Sequence, residues 1–225
     1  MKITFILVLC QFLVFSQTGE PKLILKEWRK GISLAVPENF LLMSDDDMAQ
    51  KYPSYRKPIG VYSDKKTDIS INYSINKWNN KNLDILKSMY KATISSVFTD
   101  VEFIQDGVIK KVNDRDFIVF EFISNLVEEN GPKKGASLKT YSYLAYTLYK
   151  NKVLILNMNT QVQERNNWAN TFGKIFESFV ITDKLQLDVF KPYEAENKQM
   201  PKGGQDDVQM KLLKKMGKSR TKNPQ

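Results

Sequence analysis

The sequence predicts an α+β fold, a single domain on a largely antiparallel sheet flanked by helices. Three observations carry this. Four long runs rich in Val, Ile, Phe and Tyr follow one another through short polar turns: Val101–Val112, Phe117–Val127, Leu138–Lys150 and Val153–Gln161. Two other segments carry apolar residues at helical spacing. The 225 residues, 42% apolar and 12% aromatic, are enough for one packed core and exclude wholesale disorder.

The elements follow in order. Leu23-Ile24-Leu25 leading to Trp28, and Gly31 to Val36 before Pro37, form two short strands around an Arg29-Lys30-Gly31 turn. Ser44 before Asp45, Asp46 and Asp47 is an N-cap with acids in the first turn, where the helix dipole favours them. That helix runs toward Lys51 and stops before Tyr52-Pro53, because a residue preceding proline resists the helical conformation. Pro53 and Pro58 bracket a tyrosine-bearing loop. Ile59–Ser63 and Asp68–Ile75 are strands separated by Asp64-Lys65-Lys66-Thr67. Leu83, Leu86, Tyr90, Ile94 and Val97 then mark an amphipathic helix over Asn82–Thr99. The four long strands come next, turning at Asn113-Asp114 and Asn151, with Glu128–Gly135 as a hairpin loop expected to be mobile. Trp168, Phe172, Ile175, Phe176 and Phe179 define a closing helix from Gln163 to Ser178. After Ile181 apolar density falls, so 183–225 reads as a flexible basic tail on a domain spanning 17–182.

The order of these elements and several segments resemble the PsbP-like α/β/α sandwich, the group that also takes in the Mog and DcrB families. The segments are Gly31-Ile-Ser-Leu-Ala-Val-Pro-Glu-Asn-Phe40, the Tyr52-Pro53 to Pro58 approach to the next strand, and Trp168 through Phe179-Val180-Ile181. The resemblance covers Leu23 to Thr182. It implies a non-catalytic role, since similar proteins serve as photosystem extrinsic subunits, partners of a small GTPase, envelope proteins and effector chaperones. No functional motif of any member is matched here, so no site residue is carried over.

The N-terminus reads as an export signal. Lys2 precedes an apolar run from Ile3 to Phe15, and Val14-Phe15-Ser16 sets up cleavage after Ser16. A 13-residue run rises only about 20 Å as a helix, short of the roughly 30 Å hydrocarbon core. The expected destination is the periplasm or the extracellular space. Cys10 lies inside this run and the chain has no His, so the mature protein would hold neither group. Thiol nucleophiles, imidazole acid–base chemistry and Cys/His metal sites are thereby excluded, and no cofactor or metal is expected.

The formal net charge of +9 is concentrated at the C-terminus, where Val208–Gln225 carries six basic residues and no acid. A basic, aromatic-studded body for nucleic acid is not indicated. Val208, Leu212 and Met216 fall at i, i+4 and i+8 among Lys211, Lys214, Lys215 and Lys218, a short basic amphipathic helix suited to an anionic membrane surface or an acidic groove. An alternative is a solvated tail that binds nothing.

Catalysis would have to use carboxylates, Lys, Tyr or Ser. Asp45, Asp46 and Asp47 point about 100° apart on a helix and do not converge, so capping explains them better. Glu121, between Phe120 and Phe122, is expected to face solvent from a half-buried sheet, the alternative being a perturbed carboxylate in a cleft. The aromatics are more suggestive. Tyr52 and Tyr55 flank Pro53, and Tyr141, Tyr143 and Tyr149 share one parity of a strand, an arrangement open to an exposed tyrosine-lined binding face. The reading is therefore a binding or accessory module for a protein partner, with a carboxylate or serine hydrolase as the rival class.

Overall fold

In the computed structural model, the described residues are 20–52, 57–74, 76–127 and 137–187. Strands β7 (Arg115–Val127) and β8 (Ser137–Tyr149) lie toward the middle of the larger sheet and explain its composition. Ile118, Phe120 and Phe122 bury against one face, while Phe117 and Val119 bury against the other. A strand covered on both faces is apolar at both parities, which is why these runs lack a polar alternation. The sheet adds β6 (Thr99–Val112) at one edge, and β9 (Lys152–Gln161), β5 (Asp68–Tyr73), β4 (Gly60–Ser63) and the two-residue β3 (Leu41–Leu42) on the other side. Every pairing in it is antiparallel.

A second sheet holds β1 (Leu23–Arg29), β2 (Ile32–Pro37) and β10 (Val180–Ile181), again antiparallel. The sequence does not mark it as a separate layer, because β10 is two residues long and pairs with a strand at the opposite end of the chain. Together with α3 (Arg165–Glu177) it covers one face of the large sheet, while α2 (Leu83–Val97) covers the other. The result is an α+β sandwich.

The helices begin as their sequences require. Ser44 Oγ accepts from the Asp47 amide at 3.2 Å to start α1 (Asp45–Lys51), and Asn82 Oδ1 accepts from Asp84 at 2.8 Å to start α2. Leu86, Tyr90, Thr93 and Ile94 are the buried stripe of α2; Thr171, Phe172, Ile175 and Phe176 are that of α3. A single 3₁₀ turn, Val162–Glu164, leads into α3. At its end the Ser178 hydroxyl donates to Ile175 O at 2.6 Å and accepts from the Ala35 amide at 2.8 Å, tying α3 to β2. Beyond β10, Leu185 and Leu187 still bury in the main core, so the packed body continues past Thr182. The expected leader, the 128–135 loop and the residues beyond 187 lie outside the described residues. Among the described residues no helix is long and apolar enough to cross a membrane.

Candidate binding surface

Three of the tyrosines expected on an exposed face are core residues. Tyr141, Tyr143 and Tyr149 are 0%, 2% and 2% exposed. They lie on the face of β8 that α3 closes, with Tyr141 stacked on Phe172 (centroids 5.7 Å) and Tyr143 tilted against Phe176 (5.7 Å). Shared parity located a face correctly but carried no information about what covers it. Tyr52 is half-buried and donates to Asp68 Oδ2 at 2.7 Å. Tyr55 and the tail residues Lys211, Leu212, Lys214, Lys215, Met216 and Lys218 lie outside the described residues.

Glu121 corrects a second expectation. It does not face solvent but is 7% exposed on the α3 side of β7. The Tyr141 hydroxyl donates to its Oε1 at 2.9 Å and Gln105 Nε2 donates to Oε2. Burial first, and then the Glu121 charge and hydrogen bond, push the Tyr141 hydroxyl well above the ordinary tyrosine value. Asp68, also buried, accepts from both Lys51 Nζ and Tyr52. Both carboxylates are thus held by donors that complete the packing of the sandwich. Among the described residues no group of three His, Cys, Asp or Glu is placed to hold a metal ion.

The open chemistry sits at one end of the sandwich, where several turns converge. Gly31 closes the β1–β2 turn with φ +92°, and a Cβ there would lie 2.5 Å from the Leu185 amide nitrogen. Only glycine fits, on conformation and on space. The Thr182 amide donates to Gly31 O at 2.9 Å, which docks the chain after β10 onto this turn. Asn113, in the β6–β7 turn, donates to Phe179 O at 3.0 Å. Tyr149 is the internal anchor. Its hydroxyl donates between the carbonyls of Thr182 (3.1 Å) and Leu185 (2.9 Å), and its ring lies 5.1 Å from Lys150 Nζ and 5.5 Å from the Arg115 guanidinium.

Two cavities flank the β8–β9 turn and share Lys150. One, of about 560 Å³, is lined by Arg29, Lys30, Lys150 and Lys184, with Asp183 the acid among its lining residues. The other, of about 490 Å³, is lined by Trp78, Lys81, Arg115 and Asn151, with Asp114 and Asp116. Arg29, Lys30, Lys150 and Lys184 are all solvent-exposed. The first cavity is therefore a wet, cationic concavity, suited to carboxylates presented on a surface. Of the residues lining the first cavity the sequence singled out only those of the Arg29-Lys30-Gly31 turn, because the cluster assembles from turns distant in the chain.

No family model matches the chain, and no curated protein matches it in sequence. Solved structures similar to it include cyanobacterial PsbP (CyanoP) from Synechocystis, at 12% identity and TM-score 0.49, covering 74% of this chain and 96% of that one. LpqN of Mycobacterium tuberculosis, described as involved in cell envelope biogenesis, is similar at 14% identity and TM-score 0.45, covering 67% and 83%. PA94 of Pseudomonas aeruginosa is similar at 8% identity and TM-score 0.42, covering 73% and 99%.

Proposed function

We propose that the protein is a non-catalytic accessory module that binds an acidic segment of a protein partner at the turn end of the sandwich. The leader-like residues 1–16 support an extracytoplasmic site of action. One observation carries the binding role: four exposed cations and one acid line the same open cavity, on a backbone fixed from below by Tyr149. An excess of basic over acidic groups around a concavity raises the local concentration of anionic groups and speeds their encounter. A hydrolase would call for acid–base groups pre-arranged in a cleft closed off from water, whereas the titratable groups at this end line open cavities. The buried carboxylates instead serve Tyr52, Lys51, Tyr141 and Gln105 inside the fold.

The test is charge reversal. Lys30→Glu with Lys184→Glu is expected to leave the thermal midpoint within a few degrees, because both side chains are exposed. Capture of the partner from envelope extract at low salt is expected to fall about tenfold, as two surface ion pairs become repulsions. Equal capture by the reversed variant would remove the cavity from the interface.

A further inference from the structure

Among the described residues β6 ends one side of the large sheet, and this edge is of two kinds. Along β6, the register against β7 shifts between Thr99 and Glu102, between Phe103 and Gln105, and between Asp106 and Val108. Gly107 sits in the last of these bulges at φ +65°. Asp106 is engaged by Lys91 of α2, and Gln105 by Glu121. Bulges and engaged polar side chains blunt an edge against further pairing. Past Gly107 the bulges end and the edge is guarded by Lys110 and Lys111 instead, a charge that repels a basic strand and suits an acidic one. Val108 to Val112 runs in unbroken register to Arg115, at the terminal position of the sheet. Val108 is 44% exposed and Ile109 50%, although natural edges tend to keep large apolar residues covered. Lys110, half-buried with its Nζ 6.0 Å from the Tyr143 ring centroid, and Lys111, whose side chain is 65% exposed with only a long 3.9 Å pair to Asp114, follow them.

We infer that Val108–Val112 is a β-augmentation site for an extended acidic peptide, which adds to β6 as an antiparallel strand. This rests on the reading of the protein as a module for acidic protein segments and assigns it a second contact. Side-chain order fixes the motif. Read in its own direction, the docking strand places two acids opposite Lys111 and Lys110, then two apolar residues opposite Ile109 and Val108. Main-chain hydrogen bonds to the free edge supply affinity and the four side chains supply register. A second copy of this chain is the poorer occupant, since antiparallel self-pairing of the five residues sets Lys110 against Lys110.

The experiment uses the full-length protein and fluorescently labelled Ser-Glu-Glu-Ile-Val-Ser, read by anisotropy. Wild type is expected to bind this peptide, and to bind a scrambled peptide or a backbone N-methylated copy at least about tenfold more weakly. Lys110→Glu with Lys111→Glu is expected to weaken binding about tenfold and to erase the preference over the scrambled peptide, whereas Lys30→Glu with Lys184→Glu is expected to lower both peptides alike and keep that preference. Binding that ignores Lys110 and Lys111 but fails in the Lys30/Lys184 variant overturns the edge site and leaves the proposed function standing. Equal binding of the scrambled or N-methylated peptide also overturns it. A salt-insensitive dimer in sedimentation that Lys110→Glu with Lys111→Glu dissociates reassigns the edge to a second copy. If no acidic peptide binds anywhere, both readings fall together.

Discussion

The two faces of the large sheet are closed by different chemistry. Under α2 the contact is ring against ring: Tyr90 stacks on Tyr146 at 3.9 Å, and Phe120 meets Tyr146 edge-on at 5.9 Å, with Leu86 and Ile94 filling in. Under α3 the rings recur, with Phe117 T-shaped on Phe176 at 5.2 Å, but a carboxylate and a row of tyrosine hydroxyls lie among them. The α3 side also continues into the turn end, where Tyr149 holds the segment that carries Lys184. The α2 face is held by shape and area, the α3 face by shape plus hydrogen-bond geometry. The same strand, β8, serves both.

The largest effect that separates the faces is alkaline unfolding. Burial raises Tyr141 and Tyr143 on the α3 side, with Glu121 adding to both, and raises Tyr146 on the α2 side, with Tyr90 adding. Tyr52, beside Asp68, is raised in the same way. A group whose folded value lies above its unfolded one gives its full stability below the unfolded value, near pH 10 for tyrosine, and loses it as pH climbs toward the folded value. Stability is therefore expected to stay level to about pH 9 and then fall by up to about 1.4 kcal/mol per pH unit for each such tyrosine. Urea midpoints from pH 8 to 12, read alongside tyrosinate absorbance, measure the fall. Glu121→Gln should soften it from the α3 side only, and ordinary titration near pH 10 in protein that stays folded would contradict the burial of these hydroxyls.

Next in size is Tyr141→Phe. It removes the donor on Glu121 Oε1 and leaves a buried carboxylate with Gln105. Hydrogen bonds to charged groups contribute about 1.5–3 kcal/mol, so chemical denaturation should register a loss of that order. A neutral outcome would reduce the α3 face to shape alone.

Local signals made most of the frame legible. The Ser44 cap, the Arg29-Lys30-Gly31 turn and the apolar stripe of α2 lie where spacing and capping chemistry put them. What stayed hidden depends on distant partners. The Phe120-Glu121-Phe122 alternation suggested a solvent-facing acid, because nothing nearby shows that α3 and a second sheet will cover that side. β8 carries Tyr141, Tyr143 and Tyr149 at one parity and Tyr146 at the other, and all four are buried. With no polar parity to compare, the strand cannot reveal which tyrosines reach water. The cationic end is hidden for the same reason, since Arg29, Lys150 and Lys184 meet only after the sandwich has closed.

The smallest expected effect is the sharpest test of that difference between tyrosines. Tyr143 shares its face with Tyr141, two residues away on β8, and is nearly as buried. Yet no described protein group meets the Tyr143 hydroxyl, although Glu121 lies directly across the β7–β8 ladder. Tyr143→Phe keeps the ring contacts with Phe176 and with Lys110, whose Nζ lies 6.0 Å from the ring centroid, and removes only the hydroxyl. A buried hydroxyl without a partner costs about 1–3 kcal/mol, so its removal should leave stability unchanged or raise it by up to about 1 kcal/mol. If the same denaturation series shows Tyr143→Phe losing as much as Tyr141→Phe, both hydroxyls work in one network. The α3 face would then owe its specificity to the tyrosine row as a whole and not to the Glu121–Tyr141 bond.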